Sequence, residues 1–445
     1  MSPTAPHAAP RRLTGQDFRT LGLAALGGAL EFYDFIIFVF FAAVIGKLFF
    51  PADMPEWLRL IQTFGIFAAG YLVRPLGGIV LAHFGDMFGR KKVFAFSILL
   101  MALSTLGMAI MPTYATIGVL APILLVVMRI LQGAAIGGEV PGAWTFVAEH
   151  VPLRRVGFAC GFLTSGLSLG ILLGSSIATV INTVFTPETI EAGAWRIPFF
   201  LGGIFGLLSV WMRRWLQETP IFNEMKASRA LAPELPLKSV LRDHKGGVII
   251  SMLLTWLLSA AIVVTTLMTA TLLQKIYGYT AQQSLAATSF GTLFLIFATS
   301  AAGAIIDRVG SGSFFIVGGI FFGAATWAFY SYAGTSLTVM FALYAVMGLA
   351  VGIVGGVPYV MVRVFPARVR FTGLSFSYNV AYAIFGGLTP IAVTSMLAVN
   401  PMSHAYYLLF IAVLAVAIGI YLSLRGETLE APAGIEELTE RMARS

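Results

Sequence analysis

Twelve long apolar runs leave this chain little room for anything else. They fall at about 21–44, 60–83, 93–111, 117–141, 159–183, 197–216, 247–272, 284–305, 314–332, 337–362, 372–397 and 403–424. A bilayer core is crossed by ~20 helical residues, and the runs have that length. Each far exceeds a barrel strand of about ten residues, so the runs read as helices whose backbone bonds are satisfied internally. Composition agrees, with 58% hydrophobic and only 11% charged residues, against roughly a quarter charged in soluble domains. An ordinary cytosolic enzyme is excluded. The first run carries Glu31 and Asp34 and lacks a small-residue cleavage site, so it is expected to be retained as a span.

The basic residues set the topology. Of 28 Lys and Arg, 22 lie in the tails and in the loops of one side, including Arg90, Lys91, Lys92, Arg154, Arg155, Arg363, Arg368 and Arg370. Only Lys47, Arg59, Arg196 and Lys275 lie on the other side, and Arg74 and Arg129 lie inside spans. The positive-inside rule then places both termini in the cytoplasm, which requires an even number of spans. The formal charge of +8 is therefore a membrane-surface charge, and no nucleic-acid partner is expected. The lone Cys160 leaves no intrachain disulfide and no cysteine metal cluster.

The expected organisation is a tail at 1–20, a six-helix bundle at 21–216, a cytoplasmic linker at 217–246 lying along anionic lipid headgroups, a second bundle at 247–424 and a tail at 425–445. The halves share marks at a nearly constant offset. Asp-x-x-Gly follows span two at Asp86–Gly89 and span eight at Asp307–Gly310. Pro152 to Arg155 follows span four as Pro366 to Arg370 follows span ten, and Glu218-Thr219 matches Glu427-Thr428. The fold class is thus an all-α membrane protein of two six-helix pseudo-repeats, with a substrate path expected at their interface near the bilayer midplane.

The stretch His83-Phe84-Gly85-Asp86-Met87-Phe88-Gly89-Arg90-Lys91-Lys92 resembles the loop 2–3 signature of the major facilitator superfamily. Tyr71 to Gly78, Glu31-Phe32-Tyr33-Asp34-Phe35, Arg129 to Gly133 with Gly137-Gly138-Glu139, and Glu218-Thr219-Pro220 are similar to the metabolite:proton symporters within it. The resemblance runs from about residue 20 to 428. It implies a carrier of small carboxylates, shikimate-like acids or zwitterionic osmolytes, driven by a proton gradient with no other cofactor. It also implies a gate at Gly85, Asp86, Gly89 and Arg90, in which Asp86 accepts bonds from Arg155 or from N–H groups at the start of span eleven. Asp307 marks the second copy. That copy lacks the basic cluster, so the lock is expected to be asymmetric.

Ionisable residues deep in a span are costly, by roughly 2.5–3.5 kcal/mol on insertion scales, and usually functional. Glu31 and Asp34 sit at mid-depth of span one on one helical face. Arg129 lies at matching depth in span four, with Gln132 one turn on, so the four are expected to meet. Two carboxylates beside one arginine leave one of them to take a proton at some stage, and opening the site to water shifts that balance. The carrier is Asp34 or Glu31, with Asp34 the first choice. A static ion pair orienting helices is the structural alternative. Glu139, toward the cytoplasmic end, is a local gate or a second protonation site.

The assigned spans seven to twelve contain no carboxylate, which leaves the second half to shape the substrate site. Candidates there are Tyr378, Asn379 and Tyr382, with Trp256 and Tyr359 behind them; helix packing is the alternative for each aromatic. Arg74 and Arg129, with Gln132, are the natural partners of an anionic group, because Arg presents a bidentate fork. An exporter of drugs on the same scaffold is the competing reading, against which the in-span arginines argue. The five histidines are scattered, which disfavours a membrane enzyme. An osmosensory member is expected to carry a longer coiled-coil tail than 425–445. The chain is expected to act as a monomer with lipids, protons and a small metabolite as its partners, in a bacterial inner membrane.

Overall fold

The computed structural model describes residues 13–88, 90–137, 139–212 and 236–425, with backbone alone at 79–88, 90–95, 236, 367 and 368. Among these residues the secondary structure is entirely helical. The first part contains α1 (Gly15–Phe40), α2 (Glu56–Phe88), α3 (Arg90–Ile110), α4 (Leu120–Ile136), α5 (Glu139–His150), α6 (Val156–Val184) and α7 (Ile197–Met212). The second contains α8 (Lys245–Tyr277), α9 (Ala281–Val309), α10 (Ser311–Tyr332), α11 (Leu337–Arg363), α12 (Val369–Leu397) and α13 (Ser403–Arg425). Among the described residues ten helices, counting α4 and α5 as one, are long and apolar enough to cross a membrane. Beside these stand α2, 33 residues long, and the apolar stretch Phe96–Ile110 of α3.

Local chemistry sets the boundaries. Thr14 and Asp17 form a capping box at the start of α1, as Thr280 and Gln283 do at α9, satisfying N–H groups that have no intrahelical partner. Gly310, at φ 79°, turns the chain from α9 directly into α10. The span expected to end at 141 continues as α5 to His150. The apolar run stops there, but Glu149 finds a buried partner in Arg370, so a polar turn remains helical. Two helices contain π turns, Val263–Met268 in α8 and Tyr382–Gly386 in α12; such turns frequently mark functional sites.

The two parts meet along two seams. On one, α6 lies against α9 with backbone nearly touching backbone. A Cβ on Gly157 would come 2.5 Å from the Gly303 carbonyl, and one on Gly161 would come 2.5 Å from that of Thr299. Further along, Ser165 donates to the Ile296 carbonyl (2.9 Å) and Ser289 to Ser175 (2.9 Å). On the other seam α2 faces α12, where Tyr71 stacks on Tyr382 at 5.0 Å.

Residues 1–12, 213–235 and 426–445 lie outside the described residues, and with them most of the expected tails and linker. From the linker, the helix Pro236–Asp243 buries Val240 against the start of α12.

Candidate functional site

The site begins with a close helix crossing. Gly70 and Gly133 bring α2 and α4 to backbone contact, because a glycine adds no side chain to hold helices apart. Arg74, one turn beyond Gly70, and Arg129, one turn before Gly133, are thereby drawn fully inside.

Arg129 donates through Nη1 to the Phe35 carbonyl (3.0 Å) and to the Gln132 side chain. Its guanidinium lies 4.2 Å from the Phe35 ring centroid and 4.8 Å from that of Phe38. Gln132 in turn donates to the Asp34 carbonyl (3.1 Å) and to Thr105 Oγ1 (2.7 Å). Thus α4 grips the backbone of α1 at the two residues where a carboxylate and an aromatic leave it. The Asp34 carboxylate is fully buried, forms no ion pair with Arg129 and has, among the described residues, no hydrogen-bond partner at either oxygen. It packs against α7, where a Cβ on Gly202 would meet Oδ1 at 2.7 Å. Glu31, one turn earlier and 3% exposed, accepts a 2.8 Å bond from Ser209 of α7.

Arg74 stands apart from this group. It is wholly buried, and among the described residues none of its three guanidinium nitrogens has a hydrogen-bond partner. Four rings surround it, with Cζ 5.7 Å from Phe35, 5.2 Å from Tyr71, 5.6 Å from Tyr378 and 5.3 Å from Tyr382. Two of these rings come from each half. The π turn that begins at Tyr382 helps present that ring, and Tyr378 is propped by Trp144 at 5.2 Å. A desolvated cation gains ~2 kcal/mol from aromatic faces, yet its N–H groups remain available to an anion. Asn379 of the same stretch donates to the Gly137 carbonyl and to Ser375 O at 2.9 Å, tying α12 to the junction of α4 and α5.

Two sequence candidates sit elsewhere. Trp256 stacks on Phe385 at 4.2 Å and donates to Tyr407 Oη at 2.9 Å, within the second half. Tyr359 accepts a bond from Arg363 near the end of α11. Glu139 opens α5, 6% exposed.

At the face carrying residue 13, Asp307 accepts from the backbone N–H groups of Gly157 (2.8 Å) and Phe158 (2.9 Å). A carboxylate from α9 thus caps the start of α6, where the helix dipole favours negative charge. Arg155 is exposed beside it. The matching expectation for Gly85, Asp86 and Arg90 concerns side chains outside the described residues, and Gly89 is itself outside them. The sequence reading missed the Glu149–Arg370 pair, 3.1 Å apart and 11% and 2% exposed, because both residues fell in assigned loops. Opposite charges at the ends of spans four and eleven were the available signal. At the opposite face, Lys275 of α8 pairs with Glu56 of α2. That contact is the chief reason the Glu56 carboxyl is held below its ordinary value.

Buried ionisable groups inside a bundle of apolar helices, closed by polar contacts at both faces, define a multi-pass integral membrane carrier. The chain belongs to the major facilitator superfamily, whose profile matches residues 24–390; these are transport proteins, not enzymes. It is 30% identical over 421 residues to a proline/betaine transporter of Salmonella typhimurium, covering 90% of this chain and 82% of that one. A putative proline/betaine transporter of Staphylococcus aureus is 31% identical, covering 93% and 90%. Among solved structures, the proton:xylose symporter XylE bound to 6-bromo-6-deoxy-D-glucose superposes with a TM-score of 0.75 at 16% identity, covering 95% of this chain and 98% of that one.

Proposed function

We propose that the protein is a secondary active transporter that carries a small carboxylate-bearing zwitterion together with a proton. It would work by alternating access between two six-helix repeats, twelve spans in all, with both termini in the cytoplasm of a bacterial cell. The observation that carries this reading is Arg74: a buried guanidinium without a hydrogen-bond partner among the described residues, ringed by aromatic side chains from both halves. A substrate carboxylate would satisfy the fork, while ring faces suit an alkylated ammonium. The relatives' names, proline/betaine transporter, support that substrate class. A cationic export cargo would meet Arg74 as a repulsive charge.

Asp34 is the proposed proton carrier. Its carboxylate is buried without an ion-pair partner, which suits a neutral acid in this closed arrangement, and an ionised one needs water or a cation. Arg129 and Gln132 would hold the α1 backbone in place. Asp307, Arg155, Glu149 and Arg370, with Asp86 and its neighbours, would form the cytoplasmic gate. The test is uptake into proteoliposomes under an imposed pH gradient, with betaine, proline, shikimate and dicarboxylates offered in turn. Accumulation of betaine or proline is the expected result; no gradient-driven uptake of any of them would overturn the reading.

A further inference from the structure

A cavity of about 20 Å³ lies between α1, α5 and α6, off the Arg74 cage. Glu31 enters it from α1 and Glu139 from α5; the rest of the wall, including Gly28, Phe32, Leu163 and Leu167, is glycine or apolar. One water needs ~10–15 Å³ of such space and two to four polar partners. The Glu31 carboxyl, which also accepts from Ser209, and the Glu139 carboxyl are the polar groups on an otherwise apolar wall, so a water between them has those oxygens as its partners.

The position in the bundle gives the cavity a direction. Asp34 lies one turn beyond Glu31 on α1, away from the face that carries residue 13. Glu139 lies on the other side of the cavity, eleven residues before the end of α5 at that same face. It also follows by two residues the Gly137 carbonyl that accepts the Asn379 amide of the other half. When the halves separate at this face, that bond is lost beside Glu139.

We infer that Glu31, one cavity water and Glu139 form the path by which the transported proton leaves toward the face carrying residue 13. Asp34 passes the transported proton to the Glu31 carboxylate one turn away on α1 and is left as carboxylate. A double proton hop follows: Glu31 gives its proton to the water while the water passes one of its own to the Glu139 carboxylate. Glu31 ends as carboxylate, Glu139 as the acid, and the water is unchanged. Glu139 is thus the exit acid, distinct from the carrier Asp34, and its exposure to solvent is timed by the Asn379 contact. The inference rests on the proposed symport.

Two variants test it. E139Q keeps the size of the side chain and cannot take the proton. Gly28→Ala adds a methyl 3.0 Å from Leu167 Cδ2, narrowing the cavity without altering a carboxyl group. In proteoliposomes, both are expected to slow proton-driven uptake about tenfold while leaving counterflow exchange within twofold of wild type, and E139D is expected to restore most of the rate. On the purified protein, without substrate or gradient, infrared difference spectra across a pH step are expected to show an internal-water band. That band should shift in H2(18)O and be lost in Gly28→Ala. Absence of the band in wild type overturns the relay, as does E139Q uptake at the wild-type rate, or equal losses of uptake and exchange. Wild-type protein that shows the band but no gradient-driven uptake would overturn the symport reading, and with it the role given to Glu139, while leaving the water site standing.

Discussion

Arg370 of α12 and Glu149 of α5 meet at 3.1 Å, with only 2% and 11% of their side chains exposed. Removing one partner of a buried pair leaves an uncompensated charge and costs ~3–5 kcal/mol. E149Q should therefore loosen the face where α5 and α12 touch. The chain supplies its own reporter, since Cys160 is its single cysteine and is buried on α6. Maleimide labelling of Cys160 is expected to accelerate at least tenfold in E149Q, and an unchanged rate would show that the pair does not hold this face.

Asp34 should separate coupling from movement. D34N fixes the side chain in a neutral form, so gradient-driven accumulation is expected to vanish while counterflow exchange continues. Concentrative uptake by D34N would remove Asp34 as the carrier.

Arg74 should determine affinity. Hydrogen bonds to a charged group contribute ~1.5–3 kcal/mol, so R74Q is expected to raise KM for betaine ~10–100-fold. R74K keeps the charge without the fork and should fall between. Equal effects of both variants on kcat alone would argue against a carboxylate anchor.

Charge movement distinguishes the substrate classes. A zwitterion entering with one proton moves one net charge, worth ~2.3 kcal/mol per 100 mV, or roughly 50-fold accumulation. Uptake should then respond to a potassium-diffusion potential at constant pH. A monoanion entering with one proton would not respond.

The Lys275–Glu56 pair joins the two halves at the opposite face in an exposed setting. Because this contact lowers the Glu56 carboxyl from its ordinary 4.5, the contribution of the pair is complete above pH 4.5. It is lost as the pH falls through the lowered value. Salt also screens exposed pairs. Accessibility of a cysteine placed at Gln274 is expected to rise in acid or in high salt, and E56Q should abolish both responses.

Much of the architecture was legible because lipid permits so few solutions: an apolar run of spanning length becomes a helix, and Gly15–Phe40 or Ser403–Arg425 needed no more than that. Boundaries were harder where a polar residue finds a partner across the fold. Glu149 looks like a loop residue until Arg370 arrives from more than two hundred positions away. Glu31, Asp34 and Arg129 stood out by the cost of burying charge. Their arrangement did not, since spacing places Glu31, Asp34, Arg129 and Gln132 at one depth without saying which atoms meet, and in the fold Arg129 reaches the Phe35 carbonyl. The cage around Arg74 was hidden because Phe35, Tyr71, Tyr378 and Tyr382 come from three helices in two halves, and aromatic residues occur throughout the chain.

Where Gly157 faces Gly303 and Gly161 faces Thr299 the seam is backbone against backbone, with the side-chain bonds of Ser165 and Ser289 lying further along it. Most helix pairs resist sliding because their knobs must climb out of holes. On this stretch the two smooth surfaces would act as a bearing, and a change of tilt between the halves would cost chiefly the few polar contacts that cross the seam. Turnover should then be paced by the latches at the two faces rather than by friction along the seam. A single added methyl at Gly157 would act as grit in the bearing, slowing every mode of transport alike, exchange included, without touching proton or substrate.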